Sequence, residues 1–127
     1  MIELPTVATF WYLSSPYSKY PHGHNMAHIH ACMMAAELVR RGIPNYCPIA
    51  ETHPIAVYGK LDLDDHDIWL PADRPKMEAA GGIIVGMMDG WRDSYGISVE
   101  IEYFQSVGKP VRFMTFDEMV LQETPDG

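Results

Sequence analysis

Apolar and polar residues change their spacing several times along the chain, and each spacing predicts one type of element. Residues 6–13 (TVATFWYL) are rich in β-branched and aromatic side chains, which predicts a buried strand. Beginning at residue 24 or 25, apolar side chains recur at helical spacing as far as residue 41. Asn25 is the candidate cap of this helix, and Gly42 suits the position just after it. Residues 45–49 predict a short second strand.

The middle of the chain is more polar. Residues 51–67 form a polar excursion with four aspartates, which indicate solvated surface because they lack the spacing of a calcium loop. A short helix is expected after this segment, ending near Ala80. Pro71 and Pro75 restrict where that helix can begin, and Pro75 fits a first helical turn.

The last third of the chain returns to alternating strands and helices. Residues 82–87 (GIIVGM) are a continuous apolar run, typical of a central parallel strand. Residues 94–107 predict a helix that Gly108 closes, and residues 110–114 predict a fourth strand. A last short helix is expected over residues 116–122.

This order of elements predicts an α/β fold. We expect a single Rossmann-like or flavodoxin-like domain over residues 1–127, with its core at about 6–122. Its parallel sheet should have four to five strands, with helices on both faces. Ligands bind such sheets at the carboxyl ends of the strands, where the loops 14–23, 51–67 and 89–96 should meet.

Composition and charge narrow the classes of partner. Hydrophobic residues make up 47% of the chain, enough for a packed core. The net charge of −8 argues against a nucleic-acid polymer or an anionic membrane as partner, because both favour a basic surface. Two cysteines without framework spacing and no recognisable signal peptide favour a cytoplasmic location. No segment is long and apolar enough to span a membrane.

The loop before the last long helix carries the most informative chemistry. A helix start offers unpaired backbone N–H groups that can bind an anion, and Gly96 lets a ligand approach the backbone there. Ser94 and Ser98 add hydroxyl donors, and Glu100 could attack the anomeric carbon of a sugar. The alternative is structural: Ser94 is only a helix cap and Glu100 an ordinary acid of the first turns.

Two further segments carry candidate ligand-binding groups. Ser14 and Ser15 follow the first strand and could bind phosphate or ribose oxygens, or belong to an ordinary turn. Asp73 could protonate a leaving base if burial raises its pKa, or could simply cap a helix. Trp69 and Trp91 could wall a pocket or belong to the core.

Clustered histidines suggest a metal site, but their pattern does not support one. The cluster consists of His22, His24, His28 and His30. Neither a Cys–Cys pair nor an HExxH pattern accompanies it. We therefore predict that these histidines do not bind a metal.

Several motifs, taken together, resemble a known group. The chain is similar to the nucleoside 2-deoxyribosyltransferase superfamily, and most to a small-domain subfamily of unknown function (DUF1937-like). The resemblance covers residues 8–114. The matching pieces are YLSSPYS at 12–18, PIAETHPI at 48–55, Trp69 with Asp73 and Arg74, GWRDSYGISVEI at 90–101, and GKPV at 108–111.

The resemblance implies a role for each matching residue. Glu100 corresponds to the nucleophile, Tyr12 to the tyrosine that orients it, and Asp73 to the acid that assists the leaving base. Ser94 and Gly96 stand at the spacing that the nucleotide-hydrolysing branch uses near a 5′-phosphate. The same motifs add Tyr17 and His53 to the expected substrate-binding residues, beside Ser14, Ser15, Trp69, Trp91 and Ser98.

The implied activity is cleavage of a base–sugar bond. The expected substrate is a nucleoside or, more specifically, a (deoxy)nucleoside 5′-monophosphate, attacked by Glu100 to form a glycosyl-enzyme. The alternatives are a base-exchanging 2-deoxyribosyltransferase, a non-catalytic nucleotide or ADP-ribose-like ligand sensor, and a metal-dependent hydrolase. The implied mechanism requires no metal and no other cofactor. The resemblance also implies a homodimer or higher homo-oligomer.

Overall fold

Strands and helices alternate along most of the chain. The computed structural model describes residues 2–127, which form an α/β fold with one five-stranded sheet and four helices. The strands are β1 (Trp11–Ser14), β2 (Asn45–Tyr46), β3 (Gly82–Met87), β4 (Val111–Thr115) and β5 (Leu121–Gln122). The helices are α1 (His24–Arg40), α2 (Pro48–Gly59), α3 (His66–Ala79) and α4 (Tyr95–Ser106), with a 3₁₀ turn at Trp91–Asp93. Within the described residues, none of these helices is long and apolar enough to cross a membrane.

The sheet is mostly parallel but mixed. Its strand order is β2-β1-β3-β4-β5, and the first four strands run parallel to their neighbours. β5 runs antiparallel to β4, which corrects the expectation of a wholly parallel sheet. The helix predicted over residues 116–122 is also wrong. The Thr115 N–H donates to the Val120 carbonyl and the Val120 N–H donates to the Thr115 hydroxyl, so the chain turns back on itself there. A connection this short can join antiparallel strands but cannot make a crossover.

Side chains alternate between the two faces of the sheet, and each face is covered by helices. On one face Leu13, Ile84 and Met114 pack with the buried stripe of α1. On the other face Tyr12, Ile83, Val85 and Phe113 pack with α3 and α4. This two-layer burial explains why β3 is apolar at nearly every position.

Several predicted boundaries are corrected. The second strand ends at Tyr46 because Pro48 begins α2, so much of the predicted polar excursion is helical. The first long helix begins at His24 with Gly23, not Asn25, at the cap position.

The third helix differs most from its prediction. Asp65 caps it by accepting a hydrogen bond from the Asp67 N–H at 3.0 Å, so α3 starts well before the prolines. Pro71 and Pro75 both lie inside the helix. Asp73 therefore lies in mid-helix between them, and the alternative that it caps a helix is wrong.

Candidate active site

A cavity opens at the carboxyl ends of the strands. The chain leaves β1 and β3 toward opposite sides of the sheet, and ligand sites in α/β sheets form at such a point. The cavity is lined from four directions: the β1–α1 loop, α2, α3 with the segment before it, and the beginning of α4. Its lining includes Ser15, Tyr17, Ser18, Lys19, Ile49, Thr52, His66, Trp69, Leu70, Asp73, Ser94, Tyr95, Gly96 and Glu100.

Glu100 lies at the bottom of this cavity. It is only 7% exposed, and each of its carboxylate oxygens accepts one hydrogen bond from a hydroxyl of β1. The phenol of Tyr12 donates to Oε2 at 2.6 Å, and the hydroxyl of Ser14 donates to Oε1 at 2.6 Å. Residues i and i+2 of a strand project from the same face, so one strand can supply both donors.

The start of α4 fixes the position of Glu100. Ser94 caps the helix, and its hydroxyl accepts a hydrogen bond from the Ile97 N–H at 3.3 Å. Ile97 and Phe104 lie on the same buried side of α4 as Glu100. The apolar side of the helix therefore turns the carboxylate toward the sheet.

Opposing effects act on the ionisation of this carboxylate. Burial raises the pKa of Glu100, and the hydrogen bonds from Ser14 and Tyr12 oppose that rise. Burial, followed by the negative charge of Glu100, raises the pKa of Tyr12 well above its ordinary value. Tyr12 consequently keeps its proton and remains a donor to the carboxylate.

A second buried carboxyl lines the same cavity. Asp73 is 9% exposed, and burial is the main cause that raises its pKa to about 7. The negative charges of Glu100 and Glu51 raise the pKa further. Asp73 can therefore hold a proton near neutral pH, as a general acid must.

One side of the cavity has groups suited to an anion. Ser94 and Gly96 lie at the first turn of α4, where backbone N–H groups and the helix dipole favour negative charge. A Cβ added at Gly96 would meet only the Ser94 hydroxyl, at 4.0 Å, so the backbone there is open. Ser15 is 7% exposed, and its hydroxyl has no partner among residues 2–127. Lys19 lines the same cavity and carries a positive charge.

Other predicted site residues have different surroundings. Trp69 lines the cavity, and its indole N–H donates to the Asp62 carbonyl at 2.8 Å. Trp91 packs on Phe113 outside the cavity. Ser98 also lies outside it, where its hydroxyl donates to the Tyr95 carbonyl at 2.6 Å.

His53 lies behind the cavity wall. Its Nδ1 is 2.6 Å from the hydroxyl of Tyr17, which does line the cavity. Its ring stacks on that of His28, with centroids 4.5 Å apart. Burial lowers the pKa of His53, so it contacts Tyr17 as a neutral ring.

The remaining clustered histidines pair with other side chains. His22 lies 2.9 Å from Asp89, His24 lies 2.7 Å from Asp64, and His30 lies 2.7 Å from the hydroxyl of Tyr20. In the described part of the chain, no three His, Cys, Asp or Glu side chains converge as metal ligands would. The cluster ties the loops around the cavity to one another.

Several lining residues were not predicted from the sequence. Lys19 falls in a loop that the sequence does assign to the site, so its charge was a usable signal. Thr52 lies on α2, in a segment predicted as a polar excursion, and Leu70 and His66 lie on the unpredicted first part of α3. The hydrogen bond from Ser14 to Glu100 was also not predicted. The residue pattern of a sequence cannot show that two hydroxyls donate to the same carboxylate.

Comparison with known proteins identifies a family without assigning an activity. Residues 9–116 match the model of a family described as a domain of unknown function (DUF1937). No curated protein matches the chain.

Proposed function

The chain belongs to the DUF1937 family of domains of unknown function, and we propose that it is an N-glycosidase acting on a nucleoside 5′-monophosphate. The observation that carries the proposal is the buried Glu100 carboxylate, held by Tyr12 and Ser14 at the bottom of a cavity. Burying a charged group costs free energy. A helix with only a structural role is therefore expected to keep its carboxylates in contact with water. A buried carboxylate suits attack on an electrophilic sugar carbon.

The proposed reaction is a double displacement. An oxygen of Glu100 bonds to the anomeric carbon as the carbon–nitrogen bond to the base breaks, through an oxocarbenium-like transition state. The bonding electrons go to the base nitrogen, and Asp73 gives it a proton. Water then attacks the anomeric carbon and the ester bond breaks, which frees Glu100. The proton of that water passes to the Asp73 carboxylate, so both residues return to their starting states.

We propose a 5′-monophosphate as the substrate class because the cavity is lined by groups suited to an anion. The first turn of α4, the unpartnered hydroxyl of Ser15 and the ammonium of Lys19 all line it. These groups can offer backbone, hydroxyl and charged donors to phosphate oxygens. They also give a chain of net charge −8 a local site for an anion.

Three finer assignments accompany this proposal. The mechanism resembles that of the nucleoside 2-deoxyribosyltransferase superfamily, in which a second base can replace water as acceptor. The strand order β2-β1-β3-β4-β5 is that of flavodoxin-like sheets, and we assign the fold to that group with β5 as an antiparallel addition. We also propose a cytoplasmic homo-oligomer.

The test measures release of free base. The protein is incubated with a panel of nucleoside 5′-monophosphates and matching nucleosides, and free base is read by chromatography. Glu100→Gln should lower the rate by on the order of 10³-fold or more, because the nucleophile is lost. Glu102→Gln, an exposed acid on the same helix, is the matched control and should keep the rate. A 2-fluoro substrate analogue should leave a sugar adduct on Glu100, read by mass spectrometry.

The phosphate preference has its own comparison. Lys19→Met should raise KM for monophosphates about tenfold, because a charged donor to the phosphate is lost; tenfold corresponds to about 1.4 kcal/mol. KM for nucleosides, which have no phosphate, should stay unchanged. Lys60→Met, which removes an exposed lysine outside the cavity, is the control. Nucleotide binding without base release from any substrate, equal in the protein and in Glu100→Gln, would instead establish a binding module.

A further inference from the structure

We propose that Ser14 is a positioning residue, whose hydroxyl holds the second oxygen of Glu100 and keeps the carboxylate charged and aimed for attack. This inference rests on the proposed function and adds a residue to it. The sequence predicts Ser14 as a ligand-binding hydroxyl, but its hydroxyl donates to Oε1 of Glu100 at 2.6 Å. Ser14 is also 0% exposed, so it is not available to a ligand in the cavity.

The geometry is a clamp from a single strand. Tyr12 and Ser14 lie two residues apart on β1, and their hydroxyls reach opposite oxygens of one carboxylate at equal distances of 2.6 Å. The ring of Tyr12 packs between those of Tyr46 and Phe104, with centroids 6.1 and 5.8 Å away. Two fixed donors define the plane of the carboxylate, which one donor alone would leave free to rotate.

The ionised form of Glu100 depends on these two hydroxyls, because no cation lies among the described titratable groups around it. The titratable groups that face it are Tyr12 from β1, Asp73 from α3 and Cys47 from the start of α2. None of these groups is a cation, and only Ser14 and Tyr12 lower the pKa of Glu100 against the effect of burial. Removing the Ser14 hydroxyl would leave a buried anion with a single donor.

The test uses Ser14→Ala and reads the pH dependence of kcat/KM. The acid limb should move upward by about one pH unit, and kcat should fall on the order of tenfold with KM little changed. Ser14→Thr, which keeps the hydroxyl, should restore the acid limb. Ser15→Ala is the neighbouring control: it should change KM for monophosphates and leave the acid limb in place.

A second measurement does not depend on activity. The titration of a ¹³C-labelled Glu100 carboxyl is followed by NMR in the protein and in Ser14→Ala, with circular dichroism to confirm folding. An upward shift of the midpoint in Ser14→Ala supports the proposal, and an equal midpoint in both proteins overturns it. If no substrate releases base, the proposed function fails while this titration still decides the role of Ser14. If base is released and the midpoint is unchanged, only the role of Ser14 fails.

Discussion

At the scale of single residues, the cavity holds two buried carboxyls in different environments. Glu100 has two hydroxyl donors that favour its charged form. Asp73 has none among the described residues, and burial, followed by the negative charges of Glu100 and Glu51, raises its pKa to about 7. A carboxyl that accepts two hydroxyl hydrogen bonds, beside a carboxyl that accepts none, fits the proposed roles of nucleophile and general acid.

This difference predicts the pH profile of the proposed reaction. The rate should fall above about pH 7, because Asp73 loses the proton that the departing base needs. Asp73→Asn should flatten this alkaline limb and lower kcat by on the order of 10²-fold, measured as kcat/KM from pH 5 to 9. Asp67→Asn, an acid in the first turn of the same helix, is the control and should keep the limb. An unchanged alkaline limb in Asp73→Asn would show that another group sets it.

At the residue scale, the prediction that rests on the family resemblance agrees with the geometry. The resemblance implies that Tyr12 and Glu100 meet in one pocket, and the structure places their oxygens 2.6 Å apart. Spacing alone could not separate Ser14 from Ser15, which point to different partners although they are adjacent. Trp91 lies one turn from the cavity, and which way its ring faces depends on packing against Phe113.

At the scale of elements, α4 is the helix on which the site depends. It carries Glu100, and its cap Ser94 also lines the cavity. The Ser94 hydroxyl accepts a hydrogen bond from the Ile97 N–H. This N–H is one of those at the start of a helix that have no acceptor within the helix. Loss of the cap should therefore loosen the turn that precedes Glu100.

The capping bond predicts a stability change. Ser94→Ala should lower the free energy of unfolding by about 1 kcal/mol, measured by denaturant titration. Ser98→Ala is the matched control on the same helix, because its hydroxyl bonds only within the turn to the Tyr95 carbonyl. Equal stability of the two variants would show that the cap contributes nothing beyond the helix itself.

The sequence pattern did not predict α2 or the first part of α3, and both failures have the same cause. Prolines indicate helix starts, yet Pro71 and Pro75 lie inside α3, and Met77 of this helix packs into the core. The polar appearance of residues 51–67 likewise concealed α2, which is buried along a narrow stripe only. Local propensity is a weak guide where long-range burial decides, whereas β3 and α4 were predicted well because their own pattern is strong.

At the scale of the whole molecule, the α/β class and the helices on both faces follow from the order of elements. The reversal of β5 does not, because a two-residue edge strand has almost no pattern of its own. Its place depends on pairing with β4 in the folded sheet. The sequence does predict which loops surround the cavity, because the sheet topology brings them to one edge.

Burial of Asp73 also makes the stability of the whole fold depend on pH. Its folded pKa of about 7 lies above its ordinary value of 3.8, so the folded state holds this proton more tightly than the unfolded state. The associated stability is present below about pH 4 and is lost as pH rises to about 7. Relative to Asp73→Asn, the protein should lose on the order of 4 kcal/mol of unfolding free energy over this range, with a constant difference above it.

The measurement is the free energy of unfolding from denaturant titrations between pH 4 and pH 9 for both proteins. Asp117→Asn, which removes an exposed acid near the chain end, serves as the control and should follow the unmodified protein. Parallel curves for Asp73→Asn and the unmodified protein would contradict a raised pKa for Asp73.

The clamp on Glu100 is built from a single chain, since both of its donors and the carboxylate itself belong to the same molecule. Under the proposed function, two alleles that each lack one of these groups should therefore not restore activity by mixing subunits. An assembly of Glu100→Gln and Tyr12→Phe subunits contains both intact groups but never in the same pocket. Under the proposed function, β1 and α4 must therefore both be intact within the same copy of the chain.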